Sequence, residues 1–73
     1  MAKVNYRKVN SSNVDSEAYN DTAKELYIRF NNGKEYIYFD VKAKEYASLF
    51  GEEVSFGKQL RTVIKDKKFK IVE

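Results

Sequence analysis

The chain contains no cysteine, no histidine, no proline and no tryptophan among its 73 residues. Each absence removes something. Without cysteine there is no disulfide framework and no cysteine-based zinc site, and without histidine both the commonest metal ligand and the commonest general base near neutral pH are missing. Without proline, low-complexity stretches or an internal repeat, nothing punctuates the chain as a linker, and it reads as one unit. Long apolar runs are missing too. No stretch approaches the roughly 20 residues of a membrane span, and the start, MAKVNYRKVN, lacks the apolar core of a secretory leader, so the expectation is a cytoplasmic protein with no membrane association.

What the chain does have is aromatic bulk, six tyrosines and five phenylalanines. A domain this small buries only about 60% of the surface that its unfolded chain exposes. Rings that each bury roughly 150 to 250 Å² are therefore the natural core material. The formal net charge of +3 is modest, but it is unevenly spread. Lys3, Arg7 and Lys8 mark a basic start, and Lys58, Arg61, Lys65, Lys67, Lys68 and Lys70 mark a basic end relieved only by Asp66, while the middle is net acidic. If the two ends meet in the fold, they make one cationic pole suited to a polyanion; the plainer alternative is a lysine-coated solvated surface.

Residues 3–9 alternate loosely, as an extended arm or an edge strand would, and residues 1–8 are set apart from a single domain at 9–73. Asn10 to Asn13 are turn formers, followed by a strand at 14–19, a second turn cluster at Asn20, Asp21 and Thr22, and a stronger strand at 25–30. On that strand Leu26, Ile28 and Phe30 share one face, and Tyr27 and Arg29 share the other. Asn32-Gly33 is a hairpin signal with two outcomes. A two-residue loop pairs Ile28 with Ile37 and puts Tyr36 and Tyr38 outside with Arg29. A three-residue loop with a bulge at Gly33 slips the register by one and turns both tyrosines inward, with Ile37 outside.

After Phe39 the period becomes helical. Asp40 as N-cap, Ala43, Tyr46, Ala47 and Phe50 at helical spacing, and Gly51 as a left-handed cap predict a helix over 41–50. Glu52 and Glu53 precede Ser55, a second N-cap candidate, and predict a helix over about 56–66. Its apolar stripe is Phe56, Leu60, Val63 and Ile64, and Lys58, Arg61, Lys65 and Lys68 recur along another face as a basic rail. FKIV at 69–72 reads equally as a last short strand or a tail. The fold class is α+β: an antiparallel meander of three to four strands with two C-terminal helices packed on one face.

In this order, Val9, Ser11-Ser12, Tyr19-Asn20, the 26–30 strand, Gly33, Tyr36-x-Tyr38, Val41, Tyr46, Ser55-x-Gly57-Lys58-x-Leu60 and Ile64-Lys65 resemble the KTSC domain over roughly residues 9–66. That family is named after a C-terminal appendage of some lysyl-tRNA synthetases, and it also occurs alone in bacterial and phage proteins. The chain departs from its pattern at Lys42, where proline is usual, at Arg61, where asparagine is usual, and in the basic tail KDKKFKIVE, which runs past the usual end. The resemblance implies that the residue between the two tyrosines faces solvent and the tyrosines face inward, which favours the bulged register. Of activity it implies only RNA binding, suggested by the synthetase context.

Chemistry offers little for an enzyme. Ser11, Ser12 and Ser55 have no histidine to activate them and stand where turns and caps want serine. Asp15, Glu17 and Asp21 lack calcium-loop spacing. The expectation is a non-enzymatic binding module with no cofactor and no metal, holding RNA or single-stranded nucleic acid. Lys58, Arg61, Lys65 and Lys68 would meet phosphates, and Tyr27 or Arg29 a base. The alternative is a protein-interaction module, such as a phage or prophage accessory protein acting on a host factor. Pairing of two copies through FKIV is disfavoured by Lys70, and a monomer is expected.

Overall fold

A computed structural model describes residues 5–9, 11–51 and 55–72. Five strands form one antiparallel sheet in the order in which they occur: β1 (Arg7–Lys8), β2 (Val14–Asn20), β3 (Glu25–Phe30), β4 (Glu35–Tyr38) and β5 (Phe69–Val72). Two helices, α1 (Ala43–Ala47) and α2 (Phe56–Ile64), lie between β4 and β5. The α+β meander is as expected, with two corrections. The described residues form five strands rather than three to four, and the helices are followed by FKIV, which returns to the sheet as β5. Lys70 does not prevent this, because the hydrogen bonds of β5 go to β4 within the same chain.

The hairpin takes the bulged register. Leu26 pairs with Tyr38, Tyr27 with Ile37 and Ile28 with Tyr36. Gly33 N–H donates to the Phe30 carbonyl at 3.0 Å and Phe30 N–H to the Lys34 carbonyl at 2.9 Å, closing a three-residue loop. The φ of +89° at Gly33 is what this loop requires, and glycine reaches it without a Cβ clash. Tyr38, only 6% exposed, therefore faces the same side as Leu26 and Ile28, which are fully buried. The preceding turn is closed by Asn20 Oδ1, which accepts the N–H groups of Thr22 and Ala23, both at 3.1 Å.

A bulge between Val14 and Ser16 sets the phase of β2, so that Glu17 and Tyr19 face the helices and Ser16 and Ala18 face away. Val14, Leu26, Ile28, Tyr38, Val41, Leu49, Phe56, Leu60 and Val63 form one core between sheet and helices. The far side of the sheet is partly covered by Tyr6, whose ring meets Tyr27 edge-on at 6.5 Å.

Both helices are shorter than their periodicity suggested. The N-cap of α1 is Lys42 rather than Asp40, which sits instead at φ +60°, a conformation that aspartate tolerates at a corner. Lys42 N–H donates to Glu45 Oε1 at 3.1 Å, and the helix stops at Ala47 with Ser48 as its cap, before Gly51. The corner is fixed by the Tyr19 hydroxyl donating to the Val41 carbonyl at 2.6 Å. Ser55 is the N-cap of α2, and its carbonyl accepts Gln59 N–H at 2.9 Å, although its hydroxyl makes no capping bond. Glu52 and Glu53 lie outside the described residues. α2 ends at Ile64 rather than Asp66, because the chain must turn there to reach β5.

Candidate nucleic-acid interface

Amphipathic spacing decides what α2 presents. Phe56, Leu60 and Val63 are buried, so Lys58, Arg61 and Lys65, offset from that stripe, stand exposed. Lys65 caps the helix C-terminus, where its charge suits the helix dipole. Lys68 is exposed but off the helix; its carbonyl accepts Phe39 N–H at 2.9 Å as the chain enters β5. The rail is thus three residues of one helical face; Lys68 does not continue it, because the ladder beside Phe39 and Phe69 turns it to the other side of the sheet.

Charge pairing separates these cations from five others, Arg7, Lys8, Lys24, Arg29 and Lys67, while Lys34, Lys42, Lys44 and Lys70 are, like them, outside any ion pair among the described residues. Arg7 pairs with Glu17 at 3.1 Å, Lys8 with Asp15 at 2.7 Å, Arg29 with Glu35 at 2.6 Å and Lys67 with Glu45 at 3.0 Å. The Lys8 ammonium and the Ser16 hydroxyl hold the Asp15 carboxyl below its usual range, and Lys67 does the same for Glu45. Among the described residues, no carboxylate comes within ion-pair distance of Lys58, Arg61, Lys65 or Lys68.

Two adjoining cavities meet at Arg61. The larger, about 450 Å³, lies between α2 and the β2–β3 end of the sheet, and is lined by Arg61 and Ile64 on the helix and by Phe30 and Asn31 beneath. The smaller, about 340 Å³ and more polar, is lined by Ser11, Ser12, Ser55, Lys58 and Arg61. The Ser11 hydroxyl there accepts Asn13 N–H at 3.3 Å, a turn role of the kind expected of it.

Tyr27 and Arg29 are not part of this surface. Strand alternation puts them on the opposite face of the sheet from α2, where the Tyr27 hydroxyl donates to Glu25 Oε1 at 2.8 Å. Arg29 is held by Glu35 and lies 4.3 Å from the Tyr6 ring centroid. The basic strands at the two ends of the described chain do not meet either. β1 and β5 are opposite edges of the sheet, four strand spacings or roughly 19 Å apart. What sequence reasoning missed is the pair Phe69 and Ile71, 56% and 47% exposed on the helix side of β5. The apolar, basic, apolar alternation of FKIV was the available signal.

A second polar cluster surrounds Glu17, only 1% exposed. Its carboxylate accepts from Arg7 Nε at 3.2 Å and from the Tyr46 hydroxyl at 2.8 Å, and that hydroxyl accepts from Arg7 Nη2 at 2.6 Å. Burial, then the bond to Glu17, pushes the Tyr46 phenol up to about 12. The same ring stacks on Tyr19 at 4.4 Å. The cluster ties β1 and α1 to the sheet, and its carboxylate is fully engaged. Asp15, Glu17 and Asp21 each take a different basic partner, and among the described residues no group of three acidic side chains could hold a metal ion. No described helix is long and apolar enough to cross a membrane.

The ordered motif elements thus occupy one connected fold: Tyr36 and Tyr38 inward, Gly33 in the bulged turn, and Ser55, Gly57 and Lys58 beside the 11–13 loop. The family model of the KTSC domain matches residues 10–69. The chain belongs to the KTSC domain family. The crystal structure of a KTSC domain protein from Yersinia pestis superposes with a TM-score of 0.84 at 25% identity, covering 97% of this chain and 100% of that one. No curated protein matches the chain. Both KTSC comparisons reach past Asp66, so the start of the basic tail belongs to the shared domain rather than lying beyond it.

Proposed function

We propose that this KTSC domain is a cytoplasmic, monomeric, non-enzymatic module that binds RNA or single-stranded nucleic acid through the exposed face of α2. The observation that carries the reading is the grouping of exposed cations on one face of α2. Arg7, Lys8, Lys24, Arg29 and Lys67 each pair with a carboxylate, and Lys34, Lys42, Lys44 and Lys70 lie on other elements, whereas Lys58, Arg61 and Lys65 share one helical face without a carboxylate partner among the described residues. Cations left free on one face gain by displacing the condensed counterions of a polyanion. The cavities beside Arg61 give such a strand a groove rather than a flat surface. With no histidine or cysteine in the chain, and Ser11, Ser48 and Ser55 at turn and cap positions, a binding role fits better than catalysis.

The test is fluorescence anisotropy with labelled single-stranded RNA and DNA over a series of salt concentrations. Affinity should fall steeply with salt. The triple substitution Lys58→Ala, Arg61→Ala, Lys65→Ala should reduce the slope of log K against log salt by roughly 2, at about 0.7 per phosphate contact. Absence of binding at low salt, or an unchanged slope in the triple variant, would reject the reading.

The exposed Phe50 supports a second reading, a protein-interaction module of the kind a phage or prophage accessory protein presents to a host factor. Its ring, 46% exposed, lies 5.8 Å from the Arg7 guanidinium, and aromatic and arginine side chains together make strong protein anchors. Purification from lysate with and without nuclease separates the two. Nucleic acid absorbing at 260 nm only in the untreated sample favours the first reading, and a stoichiometric protein band in both favours the second.

A further inference from the structure

The two cavities that meet at Arg61 differ in character. The larger is lined on its apolar part by Val14 and Leu60, both buried, and by Phe30 and Ile64, both half-buried. The smaller is walled by hydroxyls and cations, with Ser11 and Ser12 on the loop before β2 and Ser55, Lys58 and Arg61 on the helix side. They are one space, because Ser12, Asn13, Gly57 and Arg61 line both. The loop that they share is held in place: Asn31 N–H donates to the Asn13 carbonyl at 3.0 Å, and Asn31 Nδ2 donates to the Ser12 carbonyl at 2.7 Å. We infer that the joined cavities are a site for a nucleoside monophosphate group, with its phosphate against Lys58 and Arg61 and its nucleoside over Phe30, Leu60 and Ile64. This rests on the proposed nucleic-acid reading and deepens it from a charged face to a defined site for one nucleotide.

Charge selects the head of the ligand. Among the described residues no carboxylate lines either cavity, whereas the cavity beside Arg7 contains the Glu17 carboxylate with which Arg7 pairs. Lys58 and Arg61, three residues apart, are neighbours on one helical face, and a guanidinium takes a phosphate through two parallel hydrogen bonds. Shape selects the rest. A bare oxyanion would leave the apolar cavity in water, and a wholly apolar ligand would leave both cations without a partner. A phosphate joined to a flat, partly apolar body satisfies both compartments, and the volumes of about 450 and 340 Å³ lie in the range of small-molecule sites. The amide side chains of Asn13 and Asn31 beside the larger cavity supply donor and acceptor atoms of the kind a base edge needs.

The test is an amide NMR titration of the whole protein with AMP and UMP, with adenosine and inorganic phosphate as the two halves of the ligand. The amides of Ser11 to Asn13 and of Gly57 to Arg61 should shift together, and AMP should bind about tenfold or more tightly than either half. Lys58→Ala with Arg61→Ala should weaken AMP roughly 10- to 100-fold and leave adenosine unchanged, because only the phosphate loses its partners. Gly57→Leu tests space rather than charge. A Cβ at Gly57 meets Ser11 Oγ at 3.5 Å, an ordinary contact, so a longer side chain there enters the shared part of the two cavities. Leucine is also the better helix former, so the urea midpoint should hold or rise while AMP affinity falls roughly 10-fold or more. An oligonucleotide with a terminal phosphate that binds more tightly than its hydroxyl form identifies a strand end as the source of the ligand, and equal binding of the two identifies a free nucleotide; both support the site. AMP binding no tighter than inorganic phosphate, or unchanged in Gly57→Leu, would overturn the site, and salt-dependent oligonucleotide binding would then leave the basic face standing. Failure of AMP and oligonucleotides alike would overturn the functional reading with it.

Discussion

Replacing Tyr38 by alanine measures directly which way the hairpin faces. A tyrosine buries about 150 to 250 Å². At about 25 cal/mol per Å² this is worth about 4 to 6 kcal/mol. Allowing for burial already present in the unfolded chain lowers the figure to about 3 to 5 kcal/mol, the range found when large aromatics are truncated in cores. Tyr38 is 6% exposed and touches the Tyr36 and Phe69 rings, with centroids 6.0 Å away in both cases, so nearly the whole of that burial is lost. A domain of 73 residues has a total stability of about 4 to 11 kcal/mol, so Tyr38→Ala should remove about a quarter of it or more. Urea denaturation followed by far-ultraviolet circular dichroism reads the loss. Tyr38→Phe, which keeps the ring, should change stability by less than about 1.5 kcal/mol. Ile37→Ala is the decisive control. Ile37 is half-buried on the opposite face and should lose only about 1 kcal/mol, whereas the unbulged register would make it a core residue and reverse the order of the two variants. A larger loss at Ile37 than at Tyr38 would refute the register and the packing built on it.

Other consequences concern the polar cluster, the turn and alkaline pH. Tyr46→Phe removes a donor from the buried Glu17 carboxylate and should lower stability by about 1 to 3 kcal/mol in the same urea assay; an unchanged midpoint would mean that Arg7 alone satisfies Glu17. Gly33→Ala places a side chain at φ +89° with no neighbour within 4 Å, so only backbone strain of about 1 to 2 kcal/mol should appear in thermal melts, and Gly33→Asn should lose less; equal melting temperatures for all three would contradict the bulged loop. Burial raises the Tyr38 and Tyr46 phenols from 10.0 to about 12, so the folded state holds these protons more tightly than the unfolded chain does. Their contribution is complete below about pH 10 and is lost as pH rises through 12, so stability should fall across that window. Absorbance at 295 nm should show these two phenols ionising late, together with unfolding, and ionisation of all six tyrosines near pH 10 in folded protein would contradict the packing.

Local periodicity was enough to read most elements of this protein. The two middle strands, the Asn-Gly turn, the apolar stripe of α2 and the basic face opposite it follow from side-chain spacing, because strands repeat every two residues and helices every 3.6. The order of motif residues was enough to place the chain in its family. The hairpin phase stood between two registers on spacing alone, since both satisfy alternation; the core decided it, because only the bulged loop turns Tyr38 onto Leu26 and Ile28. Helix ends also escaped local reading. Asp40 looks like a cap, but the corner held by the Tyr19 hydroxyl on the Val41 carbonyl puts it at positive φ. Arg29 and Tyr27 looked available for a ligand until folding gave them Glu35, Tyr6 and Glu25 as partners on the far face. Long-range pairing alone settled that FKIV becomes the fifth strand, and so that the Phe69 ring stays open at the sheet edge. Sequence spacing carries information over a few residues; the choice of partner across tens of residues belongs to the packed sheet.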